Sequence, residues 1–305
     1  MPLVLPPAVR PGDRVGIAAL SGAVDPLRLA AGVAELSRLG FEPVLASNLG
    51  SRSTLFAGGD VERVGAFHQL ADDPTVRAIV FARGGHGVLR ALPLLDWKRL
   101  AATPRAYVGY SDLTPFLLEI VRRLGWIAFH GPMVAVEFAR GLSPAESASF
   151  LRCLEGDVAA ELPLTRVLGE GSPSEPAGRL TGGCLSLLAS VVGTPFAMAD
   201  SADSAVTDGA LLFLEEIHEP LYRIDRMLTQ LDLSGSLTKV RAMVLGASMF
   251  PALDDEAAEL VRERVHGVTV GFGLAAGHTT PNLTLPLGCP ARIDIQRECL
   301  QIEPG

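Results

Sequence analysis

Ser111 stands in the segment Tyr107-Val108-Gly109-Tyr110-Ser111-Asp112-Leu113-Thr114, where an apolar run gives way to a glycine, a serine and a helix-like stretch. A serine on a tight strand-to-helix turn holds its hydroxyl clear of the sheet. The first N–H groups of the following helix can then face an oxyanion forming beside it. That is the chemistry of an acyl-transfer nucleophile. Position 113 is Leu, so the Gly-x-Ser-x-Gly pattern is not met, and a Ser111 or Asp112 that only caps the helix fits the same residues. Ser21, in Leu20-Ser21-Gly22-Ala23, also follows an apolar run. Its next helix begins several residues later, so it reads as a loop or pocket-lining serine.

Three other segments carry residue types suited to such a reaction. In Ala82-Arg83-Gly84-Gly85-His86-Gly87, three glycines at a strand end let backbone approach a ligand closely, to cradle a phosphate or present an N–H to an oxyanion. A plain tight turn fits them equally well. No GxGxxG or Walker pattern supports a nucleotide. In Leu212-Phe213-Leu214-Glu215-Glu216-Ile217-His218-Glu219-Pro220, a strand runs into two acids that must face opposite ways. One of them could orient a histidine; an acidic solvated loop is the plainer alternative. In Gly277-His278-Thr279-Thr280-Pro281-Asn282-Leu283, a histidine lies in a loop bounded by Gly and Pro, with room to act as a base. His68 falls in an expected helix and His266 just after another; both read as structural. His86, His130, His218 and His278 fall at loops or strand ends.

The remaining chemistry is narrowed by what the chain lacks. No histidine pair has HExxH spacing and the four cysteines, Cys153, Cys184, Cys289 and Cys299, form no CxxC pair, so neither metal nor cofactor is expected. Reduced, mostly buried thiols are expected instead. The formal net charge of -8 and the absence of a Lys/Arg run argue against nucleic acid as a partner. Hydrophobic residues at 48% and charged ones at 20% exclude wholesale disorder. The opening MPLVLPPAVRPGDR is broken by prolines and lacks a basic stretch before an apolar one, so no signal peptide is expected, and the protein is placed in the cytoplasm. The uncharged stretch 180–199 contains Gly182, Gly183, Gly193 and Pro195 and is read as a buried helix rather than a membrane span.

The elements that must position these residues alternate. Strands are predicted at 15–20, 43–46, 76–82, 106–109 and 126–129, with helices at 25–39, 60–70 and 113–124 between them. Such alternation implies βαβ units and a mostly parallel sheet, whose sites form at the carboxyl ends of strands. The Gly-, Ser-, Pro- and Glu-rich stretch 169–178 reads as a solvated loop. A second α/β region follows, with strands at 210–215 and 242–247, helices at 220–231 and 255–265, and short antiparallel strands at the end. The division expected is 1–155 for a first domain, 156–180 for a linker and 181–305 for a second.

Taken in order, the motifs resemble the LD-carboxypeptidase family, which includes muramoyltetrapeptide carboxypeptidases and microcin C immunity proteins. The ordered set is Ser21-Gly22; Arg83-Gly84-Gly85 with Gly87; Gly109 to Thr114; His130-Gly131-Pro132; Gly182-Gly183 with Leu185 to Leu188; Leu214-Glu215-Glu216; Tyr222 to Arg226; and Gly277-His278 with Asn282 to Gly288. The resemblance implies a class I glutamine-amidotransferase-like first domain, and an α/β second domain with a mixed or barrel-like sheet. It implies a catalytic triad of Ser111 as nucleophile, His278 as base and Glu215 as the acid that orients it, with the nucleophile on the first domain and the other two on the second. The backbone N–H groups of Gly85 and Asp112 would form the oxyanion hole. Arg83, Gly84, His86 and Cys184 would line the substrate site. Many members carry Asn where this chain has Cys184 and an aromatic where it has His86, so recognition would differ there. The implied activity is hydrolysis of the amide between an L-centre and a terminal D-amino acid in a small murein peptide, by a homodimer. Two alternatives stand beside it: a microcin-C-type amidase acting on peptidyl- or aminoacyl-nucleotides, and a silent peptide-binding protein.

Overall fold

The computed structural model describes residues 3–169, 176–198, 209–217, 219–250, 255–265 and 267–304. His218, His266 and most of the 169–178 loop lie outside the described residues. The chain divides into two compact units, one of 4–157 with 283–285, the other of 1–3, 158–282 and 286–305.

The first unit is a βα alternation. It runs β1 (Arg14–Ala18), α1 (Pro26–Arg38), β2 (Glu42–Leu45), α2 (Asp60–Asp72), β3 (Val76–Phe81), α3 (Val88–Ala91), α4 (Trp97–Leu100), β4 (Ala106–Gly109), α5 (Thr114–Glu119), β5 (Ala128–His130) and α6 (Pro144–Glu155). The strands pair in parallel in the order 2-1-3-4-5. Leu285–Leu287, from much later in the chain, takes the edge beyond β5. β3 and β4 are buried on both faces apart from Arg77, as strands covered by helices on both sides must be. α1 starts where its sequence says it should: the Asp25 side chain accepts the Arg28 N–H at 2.9 Å, and Pro26 takes the first turn. Gly32 lets this helix lie directly on the Val134 carbonyl, where a Cβ would come within 1.9 Å.

The second unit adds β6 (Ala160–Pro163), β7 (Arg166–Leu168), β8 (Ala177–Cys184), α7 (Leu185–Ser190), β9 (Ala210–Glu215), α8 (Leu221–Leu233), β10 (Val240–Gly246), α9 (Asp255–Arg264) and β11 (Thr269–Leu274). After the edge strand already described, β12, come β13 (Pro290–Asp294) and β14 (Cys299–Ile302). Its sheet is mixed, in the order β6-β14-β13-β8-β9-β10-β11-β7. β8 to β11 are parallel, and the flanking strands antiparallel.

Three sequence expectations are corrected. Residues 156–180, expected as a linker, supply β6, β7 and the start of β8. β6 and β7 are edge strands of three or four half-buried residues, too short for their alternation to register. Residues 180–184, expected in a helix, are strand: Gly182 and Gly183 sit at φ +115° and +143°, and the Gly182 Cα faces the Phe213 carbonyl. The helix begins only at Leu185. β12 does not pair beside β13 as expected of the closing antiparallel strands; it sits on the other sheet. Among the described residues, no helix is long and apolar enough to cross a membrane.

Candidate active site

In the first unit, the chain leaves β4 through Gly109 and extended Tyr110, then turns sharply at Ser111 with φ +61°. A non-glycine residue held in the left-handed region costs about 1–2 kcal/mol per residue. Such strain persists only where the surroundings impose it. A short 3-10 turn, Ser111–Leu113, leads into α5. Two glycines make room. A Cβ on Gly109 would meet the Phe81 ring at 3.0 Å; one on Gly84 would lie 3.0 Å from Ser111 Cβ, 3.1 Å from its Oγ and 3.3 Å from the Asp112 nitrogen. The Arg83–Gly87 loop therefore lies directly against the serine, as the glycine run allows.

Several side chains fix this turn from behind. The buried Asp112 carboxylate accepts the Val88 N–H at 2.9 Å, tying the turn to the start of α3. The Tyr110 hydroxyl donates to Glu137 Oε1 at 2.7 Å, and the Met133 N–H donates to Oε2 at 2.9 Å. Burial pushes the Glu137 carboxyl above its ordinary range, against the two hydrogen bonds that pull it down. Fully buried Arg63 donates from Nη1 to the carbonyls of Leu20 and, at 3.0 Å, Gly87, clamping the loops after β1 and β3 together. Sequence reasoning missed Arg63 and Glu137. The signal for Arg63 was a charge on the apolar side of α2, three residues after Asp60, with which it pairs at 2.5 Å. Ser21 is fully buried, and its hydroxyl has no hydrogen-bond partner among the described residues.

A cleft of about 480 Å³ opens in this unit. Arg83 and His86, expected at the substrate site, and Gly85, expected at the oxyanion hole, line it together. Gly85 is at φ +105°, and the exposed His86 ring lies 5.6 Å from that of Phe56.

In the second unit, β9 ends on Glu215, fully buried and paired in register with Cys184 of β8. Its Oε2 lies 2.6 Å from His278 Nδ1 and also accepts the His278 backbone N–H at 3.1 Å. Were Glu215 ionised, its carboxylate could only accept, and the Nδ1 proton would point at it. Gly277, at φ +94°, is required: a Cβ there would sit 2.5 Å from Oε2. The buried Asn282 holds the loop by accepting the Gly277 N–H at 2.8 Å, a role its polar type within the Gly277–Leu283 motif could have suggested.

The pleat sends Glu216 the other way. Its Oε2 accepts the Ser186 N–H at 2.8 Å, capping α7, and its Oε1 accepts the Ile217 N–H at 3.0 Å. Cys184 is buried with its thiol 3.6 Å from that same Oε2. Burial, with the Glu215 and Glu216 carboxylates beside it, holds the thiol well above the ordinary cysteine range, so it is a neutral group and no nucleophile. Among the described residues, no group of three or more His, Cys, Asp or Glu could hold a metal ion.

Residues 15–131 match the model of the LD-carboxypeptidase N-terminal domain, and 177–293 that of the C-terminal domain. A murein tetrapeptide carboxypeptidase of Pseudomonas aeruginosa is 33% identical over 307 residues, covering 93% of this chain and 94% of the relative. The crystal structure of a muramoyltetrapeptide carboxypeptidase from Oxalobacter formigenes superposes with a TM-score of 0.80 at 31% identity, over 95% of this chain and 97% of that one. The structure of MccF in complex with glutamyl sulfamoyl guanosine superposes with a TM-score of 0.85 at 25% identity, over 99% and 98%.

Proposed function

The chain belongs to the LD-carboxypeptidase family, and from that premise we propose that it is a serine carboxypeptidase releasing a terminal D-amino acid from a murein tetrapeptide. The observation that carries the reading is the Glu215–His278 hydrogen bond of 2.6 Å on a fully buried carboxylate. It holds the imidazole by Nδ1, the orientation in which Nε2 serves as the general base. The strained turn at Ser111 supplies the matching nucleophile.

In the proposed reaction, Ser111 Oγ attacks the scissile carbonyl while His278 Nε2 takes its proton. Glu215 holds the tautomer and stabilises the imidazolium. The N–H groups of Gly85 and Asp112 receive the oxyanion. His278 then protonates the departing amine, and water, activated by the same imidazole, hydrolyses the acyl-enzyme. Arg83, Gly84 and His86 contact substrate; Cys184, buried against Glu216, shapes the site from behind. The reaction needs no metal or cofactor.

The family's finer features are part of the proposal. They are a first domain of the class I glutamine-amidotransferase type, which the 2-1-3-4-5 parallel order supports, a barrel-like second sheet, cytoplasmic residence and a homodimer. The nucleophile would lie in the first unit and the acid–base pair in the second. A small murein peptide is the proposed partner, and neither nucleic acid nor membrane is one.

The test is hydrolysis of a murein tetrapeptide ending in D-Ala, its L-Ala epimer and an aminoacyl-sulfamoyl adenosine, by wild type and Ser111→Ala. Release of D-Ala alone, lost in Ser111→Ala, is expected. Cleavage of the nucleoside conjugate alone would place the protein with the immunity amidases, the reading favoured by the likeness to MccF. Folded wild type that turns over none of them would contradict the enzyme reading and favour a binding protein.

A further inference from the structure

The cleft in the first unit lies where the strand order reverses. β1 leads out to β2 on one side and β3 to β4 on the other, so the chain departs in opposite directions from the carboxyl ends of neighbouring strands. Open α/β sheets bind ligands at such a point. Gly22, Asp25 and Pro26 come from the loop after β1, and Arg83, Gly85 and His86 from the loop after β3; Arg52 joins them. The chain thus puts two guanidinium groups on one concave volume of about 480 Å³.

Neither arginine has a carboxylate partner among the described residues. Arg83 uses Nη1, which donates to the Ala23 carbonyl at 3.3 Å. Its Nε is buried and has no hydrogen-bond partner among the described residues. A Cβ on Gly85 would lie 3.4 Å from Arg83 Nη2 and 3.7 Å from Nε, so the Nε–Nη2 edge runs beside Gly85. With Nε enclosed there, a carboxylate in the cleft would be met by a terminal guanidinium nitrogen through a charge-assisted hydrogen bond. The acid in the cleft, Asp25, is already engaged as the cap of α1. The glycine next to Arg83, Gly84, is the residue that lies against Ser111.

A carboxypeptidase must find a free carboxylate beyond the bond it cuts. Resting on the function proposed above, we infer that this cleft is a carboxylate site. Arg83, with Arg52 beside it, grips a free carboxylate of the substrate, and this grip confines hydrolysis to the terminal residue. The chemistry is that of a carboxylate on a short peptide. Two sources meet it: the terminal D-amino acid and the side-chain carboxylate of the diamino acid before it.

The experiment uses the full chain and three tetrapeptides: the free acid, the C-terminal carboxamide, and a form amidated on the diamino acid side chain. Ser111→Ala is titrated with each by calorimetry, and wild type is assayed for hydrolysis. Ser111→Ala is expected to bind the free acid about 30-fold more tightly than one of the two amides, the size of one charge-assisted pair. Adding Arg83→Ala should bring the acid and that amide within about threefold, with Arg83→Lys in between. Which amide is disfavoured identifies the carboxylate gripped. Equal binding of all three peptides, no binding of any, or discrimination that survives Arg83→Ala with an unchanged circular dichroism spectrum, would overturn the site. Wild type that hydrolyses none of them would remove the proposed activity, while the binding ratio would still decide the carboxylate site.

Discussion

The turn that carries Ser111 and the loop that carries His278 are held by different means. Ser111 is placed by backbone: a buried strand ends, φ swings to +61°, and a helix starts three residues later. Close glycines let the neighbouring loop lie against it. His278 lies between β11 and β12, where side chains tie the loop down. Glu215 holds both its ring and its backbone, and Asn282 holds the residue before it. The difference suits the roles proposed for them: strain would fix a nucleophile because a tight turn has one shape, and a base that takes up and gives back a proton would be fixed through a carboxylate that also stabilises its charged form.

Substitutions separate the two regions. The largest effect is expected from Ser111→Ala and from Glu215→Gln, each lowering kcat by about 10,000-fold or more in the D-Ala release assay. Glu216→Gln, one residue on, should change kcat by less than about fivefold. It should lower stability by about 1 kcal/mol in urea unfolding, because it weakens a helix cap and leaves the Glu215–His278 hydrogen bond in place. Comparable losses of activity from Glu215→Gln and Glu216→Gln would erase the distinction between the two acids.

Gly277→Ala should come next. Its Cβ would sit 2.5 Å from Glu215 Oε2, displacing the His278 loop and lowering kcat/KM by about 100-fold. At Ser111 the preference inverts. Ser111→Gly should be more stable than Ser111→Ala by about 1 kcal/mol, since only glycine is at ease at that φ. Both variants should be inactive.

The smallest effect is a pH slope. Burial raises the Glu137 carboxyl above its ordinary 4.5. The folded protein therefore keeps a proton that the unfolded chain has lost in the window just above that value. Stability contributed there is present below the unfolded value and falls as pH rises through the folded one. Glu137→Gln should flatten this fall when unfolding is followed from pH 4 to pH 7.

The first unit was more legible than the second for a physical reason. Apolar runs such as Val76–Phe81 and Ala106–Gly109 are buried on both faces, and turn residues such as Asp25-Pro26 announce the helices between them. In the second unit, glycines blur the pattern. Gly271 and Gly273 hid β11, and Gly182 and Gly183 disguised β8 as the start of a helix. β6 and β7 are short edges without a buried face. Of the site, the local features were readable: a serine after a strand, a glycine loop, adjacent acids at a strand end. Which acid meets His278 depends on pairing across 63 residues, and period or composition carries no such information; it came from the family resemblance. Arg63 and Glu137 went unseen because burial of a charge is set by tertiary contacts, not by neighbours in sequence.

The central claim is that Ser111, His278 and Glu215 work as one unit. A double-mutant cycle of Ser111→Ala and His278→Ala on D-Ala release tests it directly. Residues that act together lose their effect together, so the double variant should be no slower than the slower single variant, within about threefold. If the two losses multiply instead, the serine and the histidine act independently and the triad is contradicted.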